Sequence, residues 1–263
     1  IQGGKKKAWI GLGVAVGAQI IMYLFYWREN LLEEDFTHGM CSMLFLVIGL
    51  VGSVFLSATT ITSEKETRSW PILLSTPLDD WQILLGKAIG TFRRCLPVWL
   101  FLGAHIVLFC LLGFIHPATL LVMSVIVCWI VAFLSGTGLY FGTRFKKTSG
   151  AVISNLALIL LLWLVLPAVI GVLGLFGSYD ALLNNVSFAN PVVQTSIALT
   201  GLSGTENAQL DWTRIRFRLM YEDLEGPWAF AGMLSLYAGI YIAAGVGFLM
   251  LARRRLRHPI FSE

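Results

Sequence analysis

Six stretches of the chain, roughly 9–27, 40–61, 97–115, 118–142, 151–176 and 228–251, contain no Asp, Glu, Lys or Arg. Each is near the 20 residues that a helix needs to cross the hydrocarbon core of a bilayer. Backbone in lipid has no water to pair with, so runs of this length are restricted to helices. Composition agrees: 57% of residues are hydrophobic and only 13% charged, where a soluble domain carries about 25% charged. The sequence therefore predicts an all-α, polytopic membrane protein with six transmembrane helices, one transmembrane domain over 1–263.

Lys and Arg set the orientation. With the N-terminus inside, the cytoplasmic pieces are 1–8, 62–96, 143–150 and 252–263. Of the 19 basic residues, only Arg28, Arg214, Arg216 and Arg218 then lie outside. The reverse orientation would expose "KKK", "RFKK" and "RRRLR", so N-in/C-in is expected. The C-terminal "ARRRLRHPIFSE" reads as positive-inside anchoring. "KKKAWIGLGVAVGAQIIMYLFYW" has the basic flank of a signal peptide, but its run is too long and lacks a small-x-small site, so it reads as the first span.

The long extracytoplasmic region, 177–227, joins spans five and six. Pro191 is placed to open a short helix over 191–199. "WTRIRFRLMYEDL" is amphipathic, either lying on the membrane face or forming a small structured cap.

The net charge of +4 raises nucleic acid as a partner, but the basic residues form short clusters between apolar runs rather than one face, which excludes that class. Cys41, Cys95, Cys110 and Cys128 form no CxxC and no ligand spacing with His38, His105, His116 and His258, so no metal site is read and the cysteines are expected to be buried packing residues. His105 lies within a span and reads as a hydrogen-bonded packing residue. Gly13 with Gly17, and Gly138 with Gly142, stand four apart, a spacing that lets helices approach closely.

The inner loop between spans two and three, within 62–96, is "TSEKETRSWPILLSTPLDDWQILLGK" from Thr62 to Lys87. Ser69 is placed to cap a short helix with Pro71 in its first turn, where a missing N–H costs nothing. Pro77 pushes Thr76 out of helical geometry and ends it. Asp79 and Gln82 then form the pattern of a capping box for a second helix. The result is a short apolar helix set off from the spans. Its residues fit two readings equally: an interfacial helix anchored in headgroups by Trp70 and Trp81, or a docking knob for a cytoplasmic partner.

This loop resembles the signature of permease subunits of ATP-binding cassette transporters, specifically the type-2 exporter permeases. The family pattern is Glu-basic-Glu, then Gly-Thr-Leu-Glu, leucines, Thr-Pro, and a helix ending in Gly-Lys. Here stand Glu64, Lys65 and Glu66, then Leu73, Leu74, Thr76 and Pro77, and later Leu85, Gly86 and Lys87. Arg68, Ser69, Trp70 and Pro71 replace the Gly-Thr-Leu-Glu element. The six-span layout with a long outer region before the last span is also similar to the family.

The resemblance implies a coupling helix that inserts into a cleft of a separate ATPase subunit. On this chain the knob is Trp70, Pro71, Ile72, Leu73, Leu74 and Ser75, closed by Thr76 and Pro77. Glu64, Glu66, Arg68 and Ser69 are implied as its root, with Lys87 fixing the next helix. ATP and Mg would be bound by the partner subunit, a second permease copy, identical or related, would complete the core, and membrane lipids would surround it. The implied location is a prokaryotic cytoplasmic (inner) membrane.

No catalytic motif stands in the chain itself. "LLGKA" lacks the P-loop glycine five before Gly86 and the Ser or Thr after Lys87, and neither HExxH nor GxSxG occurs. The spans carry no carboxylate for a proton relay. The expected function is the transmembrane subunit of an ATP-driven exporter, not itself an enzyme, moving a hydrophobic or amphipathic substrate. Two alternatives are a non-transporting scaffold that docks a partner through the same loop and a membrane enzyme on lipid-linked substrate, for which no paired acids or bases stand at the inner boundary.

Overall fold

A computed structural model describes residues 2–31, 35–174, 180–202, 217–218, 223–224 and 227–256. The helices are α1 (Gln2–Arg28), α2 (Asp35–Glu66), α3 (Trp70–Leu74), α4 (Asp80–Leu111), α5 (Ala118–Arg144), α6 (Thr148–Leu160), α7 (Leu166–Gly174), α8 (Asp180–Phe188), α9 (Pro191–Leu202) and α10 (Pro227–Leu256). A π-helical turn, Leu161–Val165, joins α6 to α7. The only strands among the described residues are the two-residue β1 (Phe217–Arg218) and β2 (Asp223–Leu224), antiparallel with Phe217 opposite Leu224. They fall in the segment read as amphipathic; the rest of 212–224 lies outside the described residues, as does His258.

Among the described residues, five helical segments are long and apolar enough to cross a membrane: Thr37–Glu66, Asp80–Leu111, Ala118–Arg144, Thr148–Gly174 and Pro227–Leu256. α1 is a further helix of 27 residues. The chain is thus a multi-pass membrane protein. Helix ends follow their local chemistry. α4 stops where Gly113 takes φ 84°; its N–H bonds the Cys110 carbonyl and that of Phe114 bonds Phe109, the arrangement that a left-handed residue permits.

α5 is the centre of the bundle, packed against α2, α4, α6, α9 and α10. Its small residues allow this. A Cβ on Gly136 would come 2.2 Å from the Gly245 carbonyl oxygen of α10, and one on Gly138 would meet Ser57 and Ala58 of α2. Of the two glycine pairs seen in the sequence, Gly138 and Gly142 are thus in tight contact with α2, whereas Gly13 and Gly17 have open space.

α9 runs three residues beyond the expected 191–199 and is sunk into the bundle against α2 and α5. Gln194 and Thr195 on it are fully buried. The Trp129 indole donates to Gln194 Oε1 at 3.2 Å, and Gln194 Nε2 donates to the Phe188 carbonyl at 2.9 Å. A polar residue is tolerated at that depth because it is bonded on both sides.

α4 departs from the expected third span at 97–115, because the capping helix and the span are one continuous helix. α2 and α4 lie antiparallel: Thr60 meets Thr91 at 3.2 Å and Ser53 meets Cys95 at 3.6 Å. Arg93 and Arg94 therefore stand alongside the apolar part of α2, six and seven residues past Lys87, or about 9–10 Å along the axis. α4 thus extends the uncharged run at its N-terminal side by a charged stretch that includes Lys87, Arg93 and Arg94. Cys128 is also corrected: it is exposed on α5, while Cys41 and Cys95 are buried as expected.

His105 is a packing residue, as the sequence suggests. It is buried on α4 against Phe109, and Gln19 Nε2 donates to Tyr23 Oη at 2.6 Å, whose hydroxyl lies 2.7 Å from His105 Nδ1.

Candidate functional site

The loop joining α2 to α4 begins with a helix stop. Arg68 adopts φ 58°. Its N–H bonds the Lys65 carbonyl at 3.1 Å, and the Ser69 N–H bonds the Glu64 carbonyl at 3.0 Å. Those two bonds define the Schellman C-cap, whose left-handed position is normally glycine. The family pattern has glycine where this chain has Arg68, and the backbone explains that preference: a side chain here costs about 1–2 kcal/mol.

Ser69 does not act as the expected side-chain cap. It sits in helical geometry without a capping bond, and its hydroxyl donates back to the Glu64 carbonyl at 3.3 Å. Pro71 does occupy the first turn of α3. The helix is one turn rather than two, ending at Leu74 before the expected stop at Thr76. Its last carbonyls are met locally, since Ser75 Oγ donates to Ile72 O and Thr76 Oγ1 to Leu73 O. After the exposed Pro77, Asp79 and Gln82 form the expected capping box, which starts α4.

α3 has two distinct sides. Trp70 is only 2% exposed and packs with Ile61, Ile83, Leu84, Leu139, Ala252 and Leu256, drawn from α2, α4, α5 and α10. Leu73 and Leu74 are half-buried against the same cluster. Pro71, Ile72 and Ser75 face outward, Ile72 being 70% exposed. Trp70 is therefore the root of this element, and the outward surface is Pro71, Ile72 and Ser75 with Pro77 and Leu78. Trp81 lies beneath Arg253 of α10, whose guanidinium is 5.3 Å from the ring centre, a cation–π contact.

Glu64, Lys65 and Glu66 each address a different neighbour. Consecutive helical residues are about 100° apart, and at the end of a helix surrounded by three others that spacing sends one side chain to each. Glu64 pairs with Lys87 of α4. Lys65 Nζ donates to the carbonyls of Gly142, Thr143 and Phe145, at 2.8, 2.8 and 3.0 Å, closing the C-terminus of α5. Glu66 accepts from the Thr148 backbone N–H at 2.7 Å, at the start of α6. Lys65 and Glu66 suit the helix ends they meet, since the macrodipole favours a cation at a C-terminus and an anion at an N-terminus.

The sequence pointed to Glu64, Glu66 and Lys87 but missed Lys65, which makes more bonds than either acid. Residue types carried no signal for it, since its acceptors are backbone carbonyls of a helix distant in sequence. It also missed Leu256 and Arg253, which connect the end of α10 to the loop. The basic run "ARRRLR" thus contributes packing through Leu256 as well as charge.

Residues 11–256 match the family model described as ABC-2 family transporter protein. No curated protein matches the chain.

Proposed function

The chain belongs to the ABC-2 transporter family, and on that premise we propose that it is the membrane subunit of an ATP-driven exporter. In this reading α1 supplies the sixth span and both termini face the cytoplasm, so α3 is the coupling helix presented to a separate ATPase subunit. That subunit binds ATP and Mg and carries out hydrolysis. A second permease copy, identical or related, completes the pathway, and the cargo is hydrophobic or amphipathic. The membrane is a prokaryotic cytoplasmic membrane.

The observation that carries this reading is the two-sided α3. Ile72 projects from it while Trp70 joins a buried cluster drawn from α2, α4, α5 and α10. A load applied at Ile72 passes through Trp70 into a cluster shared by four helices, which is the mechanical requirement for coupling. Glu64–Lys87 holds the second turn of α4, and Lys65 and Glu66 the ends of α5 and α6, to α2 beside it. Arg68 acts on the backbone, as the turn that aims α3 away from α2.

The test is co-purification of the chain with its ATPase subunit, and ATPase turnover of the complex, for wild type and Ile72→Asp. Loss of the complex or of coupled turnover, with thermal stability retained, is expected. Full binding and turnover by the variant would overturn the docking role of α3. A complex that forms and hydrolyses ATP without moving any lipid or amphipathic probe would favour the scaffold alternative.

A further inference from the structure

Arg68 occupies the left-handed turn between α2 and α3, at φ 58°, where a Cβ crowds the following carbonyl. Nothing within the chain accounts for an arginine there. The residue is exposed, and among the described residues its guanidinium has neither an ion pair nor a hydrogen bond. Acids stand close by in sequence but are engaged elsewhere. Glu64 pairs with Lys87, and Glu66 accepts from the Thr148 N–H. Beyond α3, Asp79 is committed to the capping box of α4. Backbone strain that persists without a compensating contact points to a role outside the fold.

The base from which this guanidinium extends is fixed. Thr67 Oγ1 donates to the Ser63 carbonyl at 2.9 Å and lies 3.0 Å from Ser69 Oγ, which donates to the Glu64 carbonyl at 3.3 Å. The residues on either side of Arg68 are thus tied to the end of α2, and its own N–H closes the turn on Lys65. Its backbone therefore has little freedom left to lose when a partner arrives. Ser69 is helical, so Arg68 and Ile72 are about one turn, or about 5.4 Å, apart along the axis of α3. An exposed apolar tip with an unmatched cation beside it fits a cleft that is apolar within and acidic at its rim.

We propose that Arg68 is a specificity residue for the ATPase subunit: its guanidinium pairs with a carboxylate at the rim of the cleft that receives Ile72. This rests on the reading of α3 as the coupling helix. A carboxylate gives a guanidinium two parallel acceptors, a geometry that lysine does not reproduce. An arginine at this turn makes a contact that glycine could not. An ATPase without the acid would leave the cation unpaired against the interface, which discriminates against the wrong partner.

The test uses the complex of the full-length chain with its ATPase subunit, in dodecyl maltoside free of anionic lipid. Arg68→Gly is expected to weaken binding about tenfold at low salt, while raising the unfolding midpoint of the isolated chain. A merely structural residue would not move those two readouts in opposite directions. High salt, which screens a rim charge, should narrow the difference from wild type. Arg68→Lys should recover part of the affinity. A carbodiimide should then join its amine to a carboxylate of the ATPase as an amide, in a product that wild type does not form, and mass spectrometry of the linked peptide identifies the acid. Ile72→Asp separates this contact from the docking role of α3. If that variant loses the complex while Arg68→Gly binds like wild type, docking through α3 stands and the Arg68 contact is overturned. Full binding by Ile72→Asp overturns the docking role itself, and the Arg68 contact with it. The contact is also overturned if the lysine variant links only to acids of its own chain. The same holds if the Arg68→Gly defect is absent in detergent and appears only in nanodiscs containing phosphatidylglycerol, which would assign the guanidinium to a lipid phosphate.

Discussion

Lys65 and Gly142 are joined across two helices, the ammonium of one lying 2.8 Å from the carbonyl oxygen of the other. Gly142 is itself pressed against α2, a Cβ there lying 3.2 Å from the Ala58 carbonyl oxygen. α5 is therefore fixed to α2 by close packing along its face and by a charged cap at its end.

Lys65→Met keeps most of the stem but removes the charge from three carbonyls. Hydrogen bonds to a charged group contribute about 1.5–3 kcal/mol, and a loss of about 2 kcal/mol is expected. Thermal unfolding in detergent should show a lower midpoint for Lys65→Met and substantial recovery for Lys65→Arg. An unchanged midpoint for the methionine variant would remove Lys65 from the account.

Arg68→Gly should stabilise the chain. Relief of a left-handed side chain, partly offset by the greater backbone freedom of glycine when unfolded, leaves a gain of about 1 kcal/mol. A denaturation midpoint above that of wild type is the expected reading. A fall would mean that the Arg68 side chain matters more than its backbone.

The glycines of the core give a graded series. Gly136→Ala forces a methyl against the backbone of Gly245, which cannot rotate away, and should cost about 1–3 kcal/mol. Gly239→Ala, with open space around it, should be neutral or gain a little from helix propensity. The yield of folded, monodisperse protein on size exclusion separates the two; equal yields would contradict the close α5–α10 crossing.

Trp70 and Ile72 should part company under mutation. Trp70→Ala empties a site shared by four helices and should cost about 3–5 kcal/mol, visible as loss of expression or a lowered unfolding midpoint. Ile72→Ala should leave stability within about 0.5 kcal/mol, as surface changes do. A stable Trp70→Ala variant would overturn the inward role of that indole.

Much of this architecture was legible in the residues. Uncharged runs located five membrane-crossing helices because lipid imposes one length and one secondary structure. The Asp79–Gln82 box was readable because both partners lie three residues apart. The inward turn of Trp70 was not, since it depends on Leu139 and Leu256, which are distant in sequence. Nor was the continuity of α4 from Asp80 to Leu111, because an apolar count begins a span at its first uncharged residue. The register of α4 on α2 is instead decided by contacts such as Thr60 with Thr91. Lys65 escaped for a similar reason: its three acceptors are backbone carbonyls, to which residue types give no clue.

The π-helical turn has a consequence for length variation in this chain. One wider turn at Leu161–Val165 frees the Trp163 carbonyl, which accepts from Asn190 Nδ2 at 2.9 Å, while the Trp163 indole donates to Tyr241. Such a turn amounts to one residue inserted into an α-helix. Deleting a single residue between 161 and 165 would restore regular winding and leave the helix beyond it in phase, because the wider turn already absorbs that residue. Ile170 would stay buried. In this span, then, a one-residue deletion between 161 and 165 should be tolerated better than one in a regular stretch of helix, where it turns everything after it by about 100°.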